Sequence, residues 1–412
     1  MRRFFLALCC AALASCSRAT APLPYGAADT AADVVQSASQ GAYQSLYSFS
    51  RWSGQNPEAG LVAYRGRFYG TTAAGGDNDG DGTVFSMSPS GSEKVIRAFG
   101  DGTYPTARLI VLHGGEMYGT TSSGGAYGKG MVFDVSRTGQ GGVFHNFGES
   151  GDGASPDAAL VEMNGVLYGT TREGGKYAKG TVFSITPGGS EHVLHSFGGA
   201  PDGGHPSAGL TVYEGELYGT TRAGGKNDAG GAAFKIDASG YERVIHSFGV
   251  RRGDGANPAG DLVAANGVFY GTTIHGGAVG SGRGTVFEMN AAGKEFVLHS
   301  FGLGRDGAYP FAGLVSLGSA LYGTTEGGGN SPRGRGYCVP FGDAQNDTWS
   351  PSCGTVFEIT PFGRERVLYR FRGDPDGSNP VARLAVFNGE LYGTTYWGGS
   401  AEDGGTAFRI LP

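Results

Sequence analysis

One short motif, Tyr-Gly-Thr-Thr followed within a few residues by Gly-Gly, occurs seven times in this chain of 412 residues. Its tyrosines are Tyr69, Tyr118, Tyr168, Tyr218, Tyr270, Tyr322 and Tyr392, so by subtraction successive copies lie 49, 50, 50, 52, 52 and 70 residues apart. A period near fifty residues has room for one supersecondary unit. The spacing therefore predicts a single array of equivalent units.

Each repeat has the pattern of four short strands joined by tight turns. In the third repeat the apolar residues 160–163 come before Asn164-Gly165, a dipeptide typical of a two-residue hairpin turn. The motif strand follows, then a glycine-rich loop, a Gly-Thr-Val-Phe strand, and a final run that ends at Phe197. Valine, threonine, tyrosine and phenylalanine are enriched in all four segments, as strands prefer.

Four-stranded units at this period predict an all-β fold, a seven-bladed β-propeller that begins near residue 45 and extends to residue 412. A β-solenoid is the competing repeat fold, but its coils are shorter and its turns less hairpin-like. Residues 46–49 match a fourth strand, and residues 405–408, close to the end of the chain, match a third strand. We therefore expect the N-terminal strand to complete the last blade, which leaves the ring without open edges.

The Tyr-Gly-Thr-Thr-x-x-Gly-Gly and Gly-Thr-Val-Phe segments, for example residues 168–175 with 180–183, resemble the GloVer tandem-repeat proteins. The resemblance covers nearly the whole chain after the N-terminal region. It implies attachment to the cell surface through one of several kinds of anchor and no assigned reaction. The chain departs from the pattern at Met131, at residues 231–234 and at residues 55–57, which puts the local turns in question but not the fold.

The N-terminus has the features of an exported lipoprotein. Residues 1–15 combine two arginines with a short apolar run, and Leu13-Ala14-Ser15-Cys16 resembles a lipobox, so Cys16 is the predicted lipidation site. An ordinary secretory signal is the alternative. Residues 16–44 are predicted to be a flexible tether. Ser17 favours the outer membrane, so we expect a bacterial cell-envelope protein facing either the periplasm or the outside.

Composition narrows the classes of partner. The formal net charge is −6, and without a basic field or a polybasic run neither nucleic acid nor direct membrane adhesion is expected, apart from the lipid anchor. Cys338 and Cys353 are the cysteines left after export, and in an oxidising compartment they predict one disulfide rather than a zinc site. We expect a monomer.

Repeated residues are interpreted as structural. This applies to the turn aspartates Asp152, Asp202, Asp254, Asp306 and Asp376, and to His195, His246 and His299, which share a strand position. The chain lacks the common hydrolase and phosphate-binding motifs, and no catalytic residue is predicted. The non-repeated His113, His205 and His275 leave a polysaccharide-cleaving enzyme as the less favoured alternative.

Function is sought where one copy departs from the others. In a four-stranded antiparallel blade, the loop from strand two to strand three and the connection to the next blade emerge on one face, here called the loop face. On this face the sixth repeat carries an insertion at residues 327–353, and the seventh and first repeats carry aromatic residues. The candidate ligand-binding residues are Trp52, Arg333, Arg335, Tyr337, Trp349, Tyr396 and Trp397.

These aromatic and arginine side chains favour a module that binds carbohydrate or an envelope protein. The alternatives are that Trp52 and Trp397 cover a blade junction while Trp349 packs within its own loop, and that the protein is an envelope scaffold. A possible cofactor is calcium, because Asp77, Asp79 and Asp81 alternate as in the first half of a calcium loop. A solvated polar turn is the alternative for that segment.

Overall fold

The computed structural model describes residues 43–76, 80–100, 102–278, 282–302, 306–329, 340–341, 350–351, 353–400 and 402–412. Within these ranges the chain is all-β, with a single turn of 3₁₀ helix at Lys226–Asp228 and no α-helix. None of the described residues forms a helix long and apolar enough to cross a membrane. The predicted signal peptide, Cys16 and nearly all of the predicted tether lie outside the described residues.

Twenty-eight strands form the blades. In chain order they are β1 Tyr43–Ser48, β2 Val62–Tyr64, β3 Arg67–Thr72, β4 Thr83–Met87, β5 Glu93–Ala98, β6 Ile110–Val111, β7 Met117–Thr121, β8 Met131–Val135, β9 Val143–Asn146, β10 Val161–Met163, β11 Val166–Thr171, β12 Thr181–Ile185, β13 Glu191–Ser196, β14 Thr211–Tyr213, β15 Glu216–Thr221, β16 Ala232–Ile236, β17 Glu242–Ser247, β18 Val263–Ala265, β19 Val268–Gly276, β20 Thr285–Asn290, β21 Glu295–Ser300, β22 Val315–Leu317, β23 Ala320–Thr325, β24 Thr355–Ile359, β25 Glu365–Arg370, β26 Ala385–Phe387, β27 Glu390–Thr395 and β28 Thr406–Ile410.

These strands form seven antiparallel four-stranded blades. Blade 1 consists of β2 to β5, and each later blade takes the next four strands until blade 7, which consists of β26, β27, β28 and β1. In blade 7, Tyr43 lies opposite Ile410 and Ser48 opposite Thr406. The predicted seven-bladed propeller, closed by the N-terminal strand, is confirmed.

Aromatic side chains join every blade to the next. The phenylalanine that follows each fourth strand packs edge-on against the Gly-Thr-Val-Phe phenylalanine of the following blade. The pairs are Phe49–Phe85, Phe99–Phe133, Phe147–Phe183, Phe197–Phe234, Phe248–Phe287, Phe301–Phe357 and Phe371–Phe408, with ring centroids 5.0–5.2 Å apart. The glycine of the motif is needed beside this ring, because a Cβ atom at Gly169 would lie 2.6 Å from Cζ of Phe183.

The two threonines of the motif have separate structural roles. In six blades the first donates to a backbone carbonyl of the next blade, as Thr170 does to Ala208 at 3.0 Å, whereas the Thr220 hydroxyl of blade 4 has no hydrogen-bond partner among the described residues. The second pairs with the threonine of the third strand, as Thr171 does with Thr181 at 2.8 Å. Where the third strand has Met131 or Ala232 instead, its backbone amide still donates to the second threonine. The substitution therefore removes one hydroxyl pair and leaves the strand register intact.

Short additional strands tie the loop face together. Gly153–Ala154 pairs with Glu173–Gly174, Gly203–Gly204 pairs with Ala223–Gly224, and Gly255–Pro258 pairs with β19. Each joins the connection that enters a blade to the loop between that blade's second and third strands. The two kinds of loop therefore lie on the same face, as the blade topology predicts. Pro340–Phe341 pairs with Ser350–Pro351 inside the insertion.

Candidate functional site

A cavity of about 620 Å³ opens at the centre of the loop face. Two positions in the repeat supply much of its lining. One immediately follows the proline in the connection that enters each blade, and the other immediately follows the Thr-Thr pair of the motif. The first position contributes Glu58, Thr106, Asp157, Ser207, Ala259, Phe311 and Val381, and the second contributes Ser122, Arg172, Arg222, Glu326 and Tyr396. These positions differ from blade to blade, so the lining of the cavity is not repetitive.

Three charged residues from three blades form the floor of the cavity. Asp261 lies between Arg108 and Arg383, with its Oδ2 atom 3.9 Å from Nη2 of Arg108 and 3.8 Å from Nη1 of Arg383. Its Oδ1 atom accepts a hydrogen bond of 2.6 Å from the amide of Gly209. Burial lowers the pKa of Arg383, an effect opposed by the Asp261 carboxylate. This cluster, here called the floor triad, links the segments that lead into the first strands of blades 2, 5 and 7.

One wall of the cavity combines arginines with a carboxylate and an aromatic ring. Nη1 of Arg172 lies 3.5 Å from Oδ2 of Asp157. Burial raises the pKa of Asp157, and the Arg172 guanidinium opposes that rise. The guanidinium of Arg222 lies over the ring of Phe311, 5.5 Å from its centroid. Among the described residues no carboxylate lies within ion-pairing distance of Arg222, so its charge can meet an anionic group in the cavity.

The opposite wall is formed by blades 7 and 1. Burial and, to a lesser extent, the Asp157 carboxylate raise the pKa of Glu58 to about 7, although the Tyr396 hydroxyl lowers it. The rings of Tyr396 and Trp397 meet edge to face with their centroids 4.7 Å apart. Their backbone is fixed because Asn56 donates to the carbonyl of Tyr396 at 3.1 Å. This wall offers aromatic surface beside a carboxyl group that can hold or release a proton near neutral pH.

The structure separates Trp52 from Tyr396 and Trp397, the candidate ligand-binding residues of the first and seventh repeats. Tyr396 and Trp397 line the cavity. Trp52 is 63% exposed and is not among the lining residues that the structure describes. Its ring packs against the guanidinium of Arg51, which also pairs with Glu402 of blade 7 at 3.7 Å. Trp52 therefore lies on the loop face but outside the cavity.

Several predicted residues lie outside the described part of the chain. In the insertion these are Arg333, Arg335, Tyr337, Cys338 and Trp349, and in the aspartate loop they are Asp77 and Asp79. Cys353 is fully buried, and the disulfide with Cys338 stays a prediction. Oδ2 of Asp81 accepts a hydrogen bond of 2.7 Å from the amide of Gly102. One oxygen of the predicted calcium ligand thus fastens the connection between blades 1 and 2.

The histidines fall into two groups. The repeated histidines lie at blade junctions beside the turn aspartates, as Nε2 of His195 does at 3.1 Å from Oδ2 of Asp202. The non-repeated ones are separated. His113 lies in the turn between β6 and β7, on the face opposite the cavity, whereas Nδ1 of His205 bonds the carbonyl of Arg172 on the loop face. His275 packs against the ring of Tyr309.

Sequence reasoning missed Glu58, Asp157, Arg172, Arg222 and the floor triad. A signal for them exists in the repeats. When the seven copies are aligned on Thr-Thr and on the proline, the residue after each marker changes in charge and size. So does the third residue after the proline, which is Arg108, Asp261 or Arg383 in three copies and glycine or alanine in the others. In a closed repeat array, residues that vary between copies and face the ring axis can form a central site.

The fold and this site define a seven-bladed β-propeller with a polar central cavity. The sequence profile of the Gloeobacter/Verrucomicrobia repeat family matches residues 26–232 and 105–337, most of the chain. The protein belongs to this family. A search of curated proteins finds no match to the chain.

Solved structures with a similar fold share little sequence with the chain. A protein provisionally described as a gluconolactonase is 12% identical, with a TM-score of 0.43 over 81% of this chain and 95% of its own. A provisional 6-phosphogluconolactonase from Bacteroides uniformis is 13% identical, with a TM-score of 0.48 over 77% of this chain and 85% of its own. A provisional TolB from Agrobacterium tumefaciens is 10% identical, with a TM-score of 0.41 over 78% of this chain and 94% of its own. These similarities concern the fold alone.

Proposed function

We propose that the protein is a carbohydrate-binding module whose ligand occupies the central cavity. One observation carries the proposal. Side chains that differ between repeats, and that the ring itself does not require, converge from several blades on one concave site. Concave sites that combine aromatic surface with a few directed polar groups are the usual form of small-ligand sites.

The chemistry of the walls suits a sugar with an acidic substituent. Trp397 and Tyr396 offer aromatic surface to the apolar faces of a sugar ring. Glu58 and Asp157 can accept hydrogen bonds from hydroxyl groups, and Arg222 can bind a carboxylate or sulfate. An oligosaccharide that contains uronate matches this set better than a neutral one, because among the described residues Arg222 has no carboxylate within ion-pairing distance and Asp157 attracts it only from farther away.

A glycan array probed with the purified propeller tests this proposal. Uronate-containing and sulfated oligosaccharides should give signal, Trp397→Ala and Arg222→Met should abolish it, and Trp52→Ala should leave it unchanged. Trp52 is the matched control because it is an exposed tryptophan on the same face but outside the cavity. Binding lost equally in Trp52→Ala, or an array without any hit, would count against a carbohydrate ligand. The latter result would favour an envelope protein partner, to be sought by cross-linking in native membranes.

The cellular setting is part of the proposal. We infer that Cys16 carries the lipid and that the propeller is held in the bacterial cell envelope, with a disulfide between Cys338 and Cys353. Radiolabelled palmitate should be incorporated into the wild type and not into Cys16→Ser. Soluble release of the wild-type protein without label would contradict the anchor. Arrays run with calcium and with a chelator test whether the aspartate loop binds calcium, since Asp79→Ala should cancel any difference between them.

A further inference from the structure

A group of three side chains recurs at the blade junctions. It consists of a histidine near the end of one blade's fourth strand, the aspartate of the connection that follows, and a glutamate at the start of the next blade's fourth strand. Nitrogen and carboxylate oxygen atoms lie within 4.8 Å of one another in three of these groups, His145–Asp152–Glu191, His195–Asp202–Glu242 and His246–Asp254–Glu295. At most of these junctions the ion pair explains the residues without any ligand.

In the first two groups the aspartate carboxylate accepts hydrogen bonds from nearby backbone amides and lies close to the histidine. At the junction of blades 3 and 4, Asp202 accepts hydrogen bonds from the amides of Gly198 and Gly203 at 2.9 and 2.6 Å and lies 3.1 Å from His195. Asp152 has the same pattern with Gly148, Gly153 and His145. These carboxylates have little bonding capacity left.

The junction of blades 4 and 5 differs because its connection is one residue longer. Asp202 follows Phe197 by five positions, whereas Asp254 follows Phe248 by six, by subtraction. Nε2 of His246 and Oδ1 of Asp254 are 4.0 Å apart, beyond hydrogen-bond distance. Neither atom has a hydrogen-bond partner among the described residues, and neither has Oε1 of Glu295.

Burial makes this arrangement costly without a ligand. The Asp254 side chain is only 5% exposed, and the unpartnered Oε1 atom of Glu295 is buried. A buried polar atom without a partner has given up its hydrogen bonds to water and gained none in their place. Two carboxylates and an imidazole nitrogen that face one another and lack donors are a set that a cation would satisfy.

We propose that the junction of blades 4 and 5 binds a divalent transition-metal ion of the zinc class through His246, Asp254 and Glu295. One imidazole and two carboxylates leave a fourth position for water in a tetrahedral site. With bonds of about 2.0–2.1 Å, ligand atoms in such a site lie roughly 3.4 Å apart. The three side chains need to close by only a fraction of their present separation. Calcium suits the site less well, because it prefers oxygen ligands to imidazole.

The surrounding charges set the strength of this site. Arg251, in the same connection, is exposed, so solvent screens its repulsion of a cation. The two carboxylates outweigh that single positive charge. The junction of blades 5 and 6 has unpartnered atoms at the same three positions, on His299, Asp306 and Glu365. It differs because His299 lies 3.4 Å from Asp306, which also accepts the amide of Gly302, whereas His246 and Asp254 lie 4.0 Å apart.

Metal binding to the full-length protein, purified without a polyhistidine tag and stripped with EDTA, tests the proposal. Zinc uptake is measured by equilibrium dialysis and elemental analysis, and cobalt(II) uptake by its visible absorption. The wild type should bind zinc at this junction, give a tetrahedral cobalt spectrum without a sulfur charge-transfer band, and unfold at a higher temperature with zinc present. The sulfur band distinguishes this site from binding by the cysteines.

Two variants and a matched control make the result decisive. His246→Gln and Glu295→Gln should each lose one equivalent of zinc and the cobalt spectrum, whereas His195→Gln, at the same position of the preceding junction, should keep both. Glu295→Gln keeps the side-chain size and serves if His246→Gln fails to fold. Absence of zinc uptake by the wild type would overturn the proposal, and so would unchanged uptake by the two variants or a loss confined to His195→Gln.

Discussion

The blade junctions and the central cavity use the same seven repeats but different positions within them. At the junctions the same side chains return in every copy, as the phenylalanine pairs show. In the cavity the position after the proline carries residues as different as Glu58, Ser207 and Phe311. A repeat protein can therefore use one set of positions for stability and another for binding specificity. A substitution at a repeated position should then affect folding, and one at a variable position should affect binding.

The largest effect is expected at a junction phenylalanine. Phe183 is fully buried against Phe147, and truncation of a buried phenylalanine to alanine costs about 3–5 kcal/mol. Phe183→Ala should lower the free energy of unfolding, measured by denaturant titration, by that amount. The control is Phe362→Ala, since Phe362 is 96% exposed and its loss should change stability little. Equal effects of the two substitutions would show that the junction pairs do not stabilise the ring.

The floor triad should be an exception, because it consists of variable residues that we expect to contribute to stability. Asp261 is a variable residue of the cavity, yet it separates two guanidinium groups and accepts the Gly209 amide. Asp261→Asn would leave Arg108 facing Arg383 without the intervening charge, and we expect a loss of about 1–3 kcal/mol, reduced by solvent at this partly exposed site.

Asp157→Asn is the matched substitution on the wall, where Arg172 is 48% exposed and its ion pair is screened. It should change stability by less than about 1 kcal/mol while weakening ligand binding. If denaturant titration gave Asp261→Asn the smaller effect of the two, the floor triad would have to be assigned to ligand binding and not to closure of the ring.

The threonine hydroxyl pairs show how much a single repeated hydrogen bond contributes to stability. The third strand begins with Thr181 in blade 3 and with Ala232 in blade 4. Thr181 bonds the hydroxyl of Thr171, whereas Ala232 leaves Thr221 without a hydroxyl partner. Thr181→Ala should cost about 1 kcal/mol, a typical net contribution of one hydrogen bond. Ala232→Thr should recover a similar amount if the small buried site accommodates the extra atoms. A loss of stability in Ala232→Thr would show that blade 4 is packed around alanine.

The ring could be predicted from sequence because its determinants are local and repeated. The position of β1 in blade 7 followed from the strand phase at the two ends of the propeller, and the loop face followed from blade topology. Neither inference required a distance between blades.

The cavity could not be predicted in the same way. Asp261 lies 153 residues after Arg108 and 122 before Arg383 by subtraction, and no short motif connects them. Trp52 and Trp397 come from neighbouring repeats, yet only Trp397 lines the cavity. Sequence spacing does not encode which loop residues face the cavity.

The smallest expected effect is a pH dependence that both regions share. Burial raises the pKa of Glu58 in the cavity and of Glu93 at the junction of blades 7 and 1 from 4.5 to about 7. Each carboxyl keeps its proton in the folded state after the unfolded chain has released it. Between about pH 4.5 and 7 the unfolded state therefore binds fewer protons, and stability falls as the pH rises.

Glu58→Gln and Glu93→Gln should each reduce that slope in urea titrations from pH 4.5 to 8, by on the order of 1 kcal/mol over the window. Ligand binding separates the two residues. Glu58→Gln should alter the pH dependence of glycan binding, because its carboxyl lies in the cavity beside Tyr396, whereas Glu93→Gln should leave that dependence as in the wild type. Identical binding profiles for the two variants would mean that the Glu58 carboxyl does not contact the ligand, and that the cavity wall formed by blades 7 and 1 stabilises the ring as the junctions do.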